Sequence, residues 1–374
     1  MIIKNGIVYK ENGTFEKGDI FIRNERIVEK GLPEDTILDA TGMYLIPGLT
    51  DLHFHGCTGY DFCDGTPEAF KAIAKYEAEN GVTTICPATM SLPEDRLFDI
   101  CKAAAEFPDD EGSIFCGINL EGPFLSIKKK GAQNEAYLRK PDLAMFYRLD
   151  KISGNQIKIV NIAPEEEDAM EFISELKGKK IISIAHTTAD YNTAREAFQK
   201  GANQVTHLFN AMLPFLHREP GVIGAAFDTP DCRVELICDG IHLHPSIVRA
   251  AIKMFGEDRI LFISDSMMAT GLPDGQYTLG GQKVKVVDKK ATLEDGTIAG
   301  SATNLMDCMI NAVQNMGIDL ATAVKAVAVN SAKALGIYDQ FGSITVGKIA
   351  NLVLLDQNLK IKLVILKGRK LIEN

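Results

Sequence analysis

Two histidines lie two residues apart in Asp51-Leu52-His53-Phe54-His55-Gly56, directly after the apolar run Tyr44-Leu45-Ile46-Pro47-Gly48-Leu49. Side chains at i and i+2 of a strand share a face, so His53 and His55 can bring two imidazoles to one point, as metal ligands do. Further apolar runs end in the same chemistry. Leu120-Glu121-Gly122-Pro123 delivers a carboxylate, Ile184-Ala185-His186 and Val205-Thr206-His207 each deliver an imidazole, and Ile263-Ser264-Asp265 delivers another carboxylate. A single histidine at a strand end is as readily a hydrogen-bonded core residue, but that explains poorly why one strand end after another carries such a group. Imidazole and carboxylate together suit divalent zinc, iron, manganese or cobalt. Such a cation lowers the pKa of a water towards neutrality, and a carboxylate such as Asp265 can take the released proton and return it to a leaving amine.

The elements that must position these groups follow from hydrophobic patterning. From about residue 45, apolar strands alternate with amphipathic helices, and the strands end near His53, Cys86, Glu121, Ala163, His186, His207, Asp239 and Asp265. Between them, Leu97, Ile100, Cys101, Ala104 and Ala169, Phe172, Ile173, Leu176 recur at helical spacing. Thr66-Pro67-Glu68 and Leu92-Pro93-Glu94 read as helix starts, and Asn80-Gly81 as a helix end. Eight strand-helix units predict an α/β fold, a (β/α)8 barrel in which every strand delivers its last residue to one rim. Short strands at both chain ends, with Asn12-Gly13 as a hairpin signal, predict a small discontinuous β domain from 1–47 and 345–374, flanking a barrel over 48–344. In the last thirty residues the strand-like stretches are 342–347, 351–356 and 361–365. The segments 276–279, 283–287 and 291–293 predict a β insertion after the eighth strand that reaches over the barrel mouth. Helices are expected to resume over 303–316 and 320–335.

With 374 residues, 46% apolar and 24% charged, the chain has the composition of a soluble globular protein with a substantial core. No run of eighteen apolar residues exists, and the start lacks a basic region followed by a long apolar core, so a cytoplasmic protein without membrane contact is expected. The eight cysteines are scattered without a C-x-x-C pair and read as reduced thiols; Cys57 reads as a turn residue beside the site rather than a ligand. A net charge of −10 and the lack of a long basic patch argue against nucleic-acid binding. Lys128-Lys129-Lys130 reads as a solvated loop close to the proposed site, where it can help attract an anion.

The opening Pro47-Gly48-Leu49-Thr50-Asp51-Leu52-His53-Phe54-His55-Gly56 and the closing 342–353 segment resemble the amidohydrolase superfamily. Leu120-Glu121-Gly122-Pro123-Phe124, Lys130-Gly131-Ala132-Gln133, Thr206 to Met212, Arg218-Glu219-Pro220-Gly221, Asp239-Gly240-Ile241-His242 and Ile298-Ala299-Gly300-Ser301 are similar to the N-acetylglucosamine-6-phosphate deacetylase family, in order and over essentially the whole chain. The resemblance implies hydrolysis of the acetamide of a 6-phosphorylated amino sugar. It implies that Glu121, His186 and His207 bind the main divalent metal and that Asp265 is the general base, then acid. The retained pair His53 and His55 implies room for a second ion, with Glu121 bridging. Substrate contacts are implied for Ala132, Gln133, Asn210, Ala211, Arg218, Asp239, Gly240, Ile241, His242, Ile298, Ala299 and Gly300. Gln133 stands where many relatives have His, and a neutral amide can hydrogen-bond but cannot carry a proton. Arg218, suited to phosphate, lies in a loop that in relatives crosses a dimer interface, which implies a homodimer. The galacto epimer, or another amide or cyclic amide, is the alternative substrate. Relatives acting on cyclic amides commonly bridge two metals with a carbamylated lysine at the fourth strand, whereas Lys158 lies near the start of that strand here. A non-catalytic scaffold would have lost ligands, and none of the expected ones is missing.

Overall fold

The computed structural model describes residues 1–107 and 112–373. Its centre is a set of parallel strands in two arcs. One joins Leu49–Asp51, Val82–Ile85 and the short Ile114–Phe115; the other runs Ile118–Leu120, Ile157–Ile162, Ile181–Ile184, Gln204–Val205, Arg233–Ile237 and Ile260–Ile263 in sequence order. Backbone bonds connect the arcs at both junctions: Asp265 N donates to His53 O at 3.0 Å, and Thr89 N to Asn119 O at 2.9 Å.

Aliphatic and β-branched residues dominate these strands, as expected where both faces are covered. Outward residues such as Val82, Ile118, Val160 and Val234 pack with helix faces in the main core. Inward, the strands carry polar residues that satisfy one another. Thr50 and Thr84 hydroxyls meet at 2.5 Å, Asn161 donates to Asn119 Oδ1 at 2.6 Å, and Thr206 donates to Asn161. Paired in this way, buried polar groups fix a single arrangement without the cost of orphaned donors.

The helices bury the residues their spacing singled out. Pro67–Glu79 starts at Thr66, whose hydroxyl accepts from Ala69 N at 3.2 Å. Glu94–Ala104 buries Leu97, Ile100, Cys101 and Ala104, and Ala169–Leu176 buries Ala169, Phe172, Ile173 and Leu176. The expected helix over 320–335 is interrupted: Leu320–Val324 passes through a π-helical turn, Lys325–Val329, into Asn330–Ala334. Asn330 then donates to Glu257 O and Ile260 O at 2.7 and 2.8 Å, tying the widened turn to the start of a central strand.

A separate mixed sheet draws strands from both chain ends, in the order Arg369–Glu373, Ile361–Leu366, Leu352–Leu355, Tyr44–Pro47, Ile2–Tyr9, Phe15–Arg23, Arg26–Val28, with Ile37–Asp39 also on Ile2–Tyr9. The ends meet where Leu352 pairs with Pro47 and Leu355 with Tyr44. Ile3, Val8, Leu45, Leu352 and Ile365 share its own apolar cluster. The stretches 2–3 and 6–9 read from the sequence as separate short strands, and they form one strand with a bulge between Ile3 and Gly6, where Asn5 takes a φ of 62°. Residues 342–347 are not a strand. Gly342 and Gly347 turn with φ of 77° and 93°, and Ser343 bonds to Glu11 and Thr345 instead of a ladder.

The insertion after Ile260–Ile263 is a three-stranded antiparallel sheet, Gly275–Leu279, Gln282–Val287 and Lys290–Thr292. Gln282 at its first turn donates to Ala132 O, fixing the insertion on the loop that carries Ala132 and Gln133. Among the described residues, no helix is long and apolar enough to cross a membrane.

Candidate active site and metal centre

The strand ends converge on Glu121. Its Oε1 lies 3.1 Å from His186 Nε2, 3.3 Å from His207 Nε2 and 3.6 Å from His53 Nε2, while Oε2 lies 3.3 Å from His55 Nε2. Asp265 Oδ1 completes the ring, 3.3 Å from His55 Nε2 and 3.7 Å from His53 Nε2. The six residues form two adjoining sets, Glu121-His186-His207 and His53-His55-Asp265, and all are buried.

Sharp backbone turns aim these groups inward. His186, His207 and Asp265 have φ of 45°, 28° and 50°, a region costly for side-chain-bearing residues and held only where the surroundings enforce it. Gly122 turns with φ of 86° against Ser91, and an added Cβ would stand 2.1 Å from Ser91 Oγ. Gly122→Ala is therefore expected to destabilise the fold by about 2 kcal/mol or more. Urea unfolding checks this, and an unchanged midpoint would mean the turn yields freely.

The donor set fits a divalent cation. Lys129 O accepts from His186 Nδ1 at 2.9 Å, so a neutral His186 presents a bare lone pair at Nε2. That lone pair faces Glu121 Oε1 and, at 3.1 Å, His207 Nε2. With His207 Nε2 bare as well, these facing acceptors need a positive charge in their midst. Two nitrogens on one tetrahedral zinc at about 2.05 Å would themselves stand about 3.3 Å apart. His53 Nε2 is likewise buried without a hydrogen-bond partner and faces two carboxylates.

A proton on His55 competes with a cation for the same carboxylates. Burial alone would raise the Glu121 carboxyl, yet His53, His186 and His207 hold it well below the usual range. Asp265 is also lowered, burial being outweighed by His55 and His53. Burial would depress His55, but its hydrogen bonds to Asp265 and Glu121 carry it to about 10. Burial pushes Asp51 up to about 7, against hydrogen bonds from Ser264 and the His53 N–H.

A cavity of about 360 Å³ opens over this centre, within the range of small-molecule sites. Of the expected ligands His55, Glu121, His186, His207 and Asp265 line it, with His53 enclosed behind them. Ala132, Gln133, Asn210, Ala211, His242, Ile298 and Gly300 also line it; Asp239, Gly240, Ile241 and Ala299 do not. Asp239 acts one step back. It accepts from Ile241 N and His242 N at 2.9 Å each and meets His242 Nδ1 at 2.7 Å, leaving His242 Nε2 free to meet a ligand. The His242 contact holds Asp239 low despite its burial.

Gln133 is committed to protein contacts. Ser91 N donates to its Oε1 at 2.7 Å, and its Nε2 donates to Glu121 Oε2 at 3.0 Å. Arg218 is exposed, outside the cavity lining, and bonded to His217 Nε2 at 2.7 Å. Lys128 and Lys129 do line the cavity. Two buried carboxyls were not anticipated: Glu235, in contact with His53 at 2.9 Å, and Asp51, which accepts from Ser264 Oγ at 2.5 Å. A charge inside an apolar strand, in Arg233-Val234-Glu235-Leu236-Ile237, was the available signal for the first.

Parallel strands alternating with helices, a histidine-carboxylate centre at their ends and a cavity above it define a metal-dependent hydrolase of the amidohydrolase type. The model of the amidohydrolase family matches residues 44–371, and the chain belongs to that family. It is 36% identical to the N-acetylglucosamine-6-phosphate deacetylase of Bacillus subtilis strain 168, over 98% of this chain and 96% of that protein. Identity to the N-acetylgalactosamine-6-phosphate deacetylase of Escherichia coli O157:H7 is 31%, with 87% of each chain covered. Among solved structures, a mutant N-acetyl-D-glucosamine-6-phosphate deacetylase from Mycobacterium smegmatis, in complex with N-acetyl-D-glucosamine-6-phosphate, superposes with a TM-score of 0.92, at 31% identity and coverage of 100% of this chain and 99% of that one.

Proposed function

We propose that this chain hydrolyses the acetamide of N-acetyl-D-glucosamine 6-phosphate to glucosamine 6-phosphate and acetate, as a step of amino-sugar breakdown. The observation that carries the reading is the convergence of four imidazoles on Glu121 beside Asp265, at the base of a cavity sized for one sugar. Glu121, His186 and His207 would hold the main divalent ion, and His53 and His55 with Asp265 a second, with Glu121 shared between the two sets. Bound there, a cation polarises the acetamide carbonyl and eases loss of a proton from water.

The chain's own groups do the rest. Asp265 accepts the proton of the attacking water at a carboxylate oxygen and returns it to the sugar nitrogen, so the departing amine leaves neutral. His242, held by Asp239, offers Nε2 to a sugar oxygen. Gln133 fixes the Glu121 carboxylate. Lys128 and Lys129 supply positive charge for the phosphate from within the chain. The exposed Phe215 and Leu216 beside Arg218 suit contact with a second copy, which supports a homodimer with Arg218 reaching the partner's cavity. Backbone bonds joining the two strand arcs support closure into a (β/α)8 barrel over 48–344, and the apolar cluster of the mixed sheet supports a discontinuous β domain from 1–47 and 345–374. A cytoplasmic setting accords with a phosphorylated sugar, whose charge keeps it from crossing a bilayer.

Acetate release should be measured on N-acetylglucosamine 6-phosphate, the unphosphorylated sugar and the galacto 6-phosphate epimer. The first is expected to exceed both others in kcat/KM by about tenfold or more, the worth of one or two well-placed polar contacts. Preference for the galacto epimer would reassign the sugar. Equal rates with and without phosphate would remove the phosphate from the reading.

A further inference from the structure

Glu235 belongs to none of the strand ends. It is the middle residue of Arg233–Ile237, fully buried, and its two oxygens meet three groups. Gln204 Nε2 donates to Oε1 at 2.7 Å. On Oε2 the backbone N–H of His207 arrives at 3.1 Å and His53 Nδ1 at 2.9 Å. One carboxyl thus touches a residue of each ligand set, His53 from one and His207 from the other.

We propose that Glu235 is a positioning residue for the metal centre. It fixes the proton of His53 on Nδ1, turns the Nε2 lone pair towards Glu121 and Asp265, and ties that imidazole to the backbone of His207. This role rests on reading the strand ends as cation ligands. The geometry leaves little choice of tautomer. Oε2 already accepts from an N–H, so a carboxylate there demands a donor from His53, and a proton on Nδ1 leaves Nε2 bare. That nitrogen is the buried atom without a hydrogen-bond partner, 3.6 and 3.7 Å from two carboxylates. Outer carboxylates of this kind raise the basicity of a ligating imidazole and hold its plane. Glu235 has the further property of setting two ligands from separate sets with one group, so that the spacing between the sets depends on it.

Cations retained per chain during titration with a chelator would be measured for wild type, Glu235→Ala, Glu235→Gln, His53→Ala and the double variant His53→Ala/Glu235→Ala, each checked for folding by circular dichroism. Glu235→Ala is expected to release cation at a chelator activity lower by about tenfold to 100-fold. Glu235→Gln should stay within about threefold of wild type, because a neutral oxygen still accepts at the His53 side. Its new N–H₂ then meets Gln204, which can turn its own amide, since Gln204 Oε1 is now without a partner. In the His53→Ala background, removing Glu235 should cost less than it does in wild type, the remainder being its hold on the His207 backbone.

Wild-type retention by folded Glu235→Ala, loss in Glu235→Gln equal to that in Glu235→Ala, or fully additive losses in the double variant would each overturn the role. Should truncation unfold the chain, nitrogen-15 spectra of the zinc-loaded protein decide. The His53 Nδ1 proton must resonate at the low field of a bond to a carboxylate in wild type and move upfield in Glu235→Gln, and an unchanged resonance overturns the proposal. A wild-type chain that holds no cation would instead overturn the ligand reading beneath it, so the two failures are told apart.

Discussion

Asp265→Asn should lower kcat by about 10³-fold, within the 10²–10⁴ range that positioned proton transfer contributes, while KM moves only a few-fold. The substitution keeps shape and one acceptor oxygen, and the neighbouring strand contact through Asp265 N to His53 O is main-chain and unaffected. What it removes is a basic oxygen at the cavity base, next to His55 at 3.3 Å. An amide cannot take a proton from water at neutral pH or hand one to a nitrogen. Because the same side chain must do both, attack and departure suffer together, and the loss is expected in kcat. Cation held by Glu121, His186 and His207 should remain, since Asp265 belongs to the other set. Steady-state kinetics with cation analysis of the same samples checks the claim. Turnover near wild type with metal in place would take the proton-carrying role from Asp265.

The position of Asp265 was legible in the sequence for a simple reason. In an alternating strand-helix chain the last residue of an apolar run is the first to leave the sheet, so a polar group there is exposed to the rim in common with its counterparts. His186 and His207 were legible by the same logic. Glu235 was not, because it lies within its strand and faces inward, where patterning predicts an apolar residue. Such a residue is found only by asking what partner a buried charge must have. Asp51 was likewise hidden, its partner Ser264 being 213 residues away along the chain.

Arg218 illustrates a different limit. Its motif is plain in the sequence, but a loop's reach depends on a surface the single chain does not contain, and among the described residues its guanidinium bonds to His217. In the mixed sheet, patterning located both flanks of Ile2–Tyr9 but not the bulge that joins them, because the polar Lys4 and Asn5 interrupt the apolar run while the backbone pairs on with its register shifted. Residues 342–347 had strand composition, yet their two glycines decided in favour of turns. Composition biases a segment, and backbone hydrogen bonding with what lies beside it selects the outcome.

Glu121→Gln is expected to abolish cation binding and, with it, activity, while leaving the chain folded. The reasoning turns on what surrounds the carboxylate. Three imidazole Nε2 atoms lie 3.1 to 3.6 Å from Oε1, with His55 Nε2 and Gln133 Nε2 at 3.3 and 3.0 Å from Oε2. An amide in this place keeps its oxygen towards the Gln133 donor and turns its N–H₂ towards His186 and His207. Those N–H bonds satisfy the lone pairs that a cation otherwise satisfies, so the variant stands in for the ion structurally and excludes it chemically. A ligand present at 100 times its Kd stabilises a fold by about 2.7 kcal/mol, roughly 3 °C in Tm for a chain of this size. The wild-type Tm should therefore fall by that order on treatment with a chelator, whereas the Tm of Glu121→Gln should not move, and added zinc should restore neither cation content nor acetate release. A chelator-sensitive Tm in the variant would place the essential ion on His53, His55 and Asp265 alone and demote Glu121 to a support of the second set.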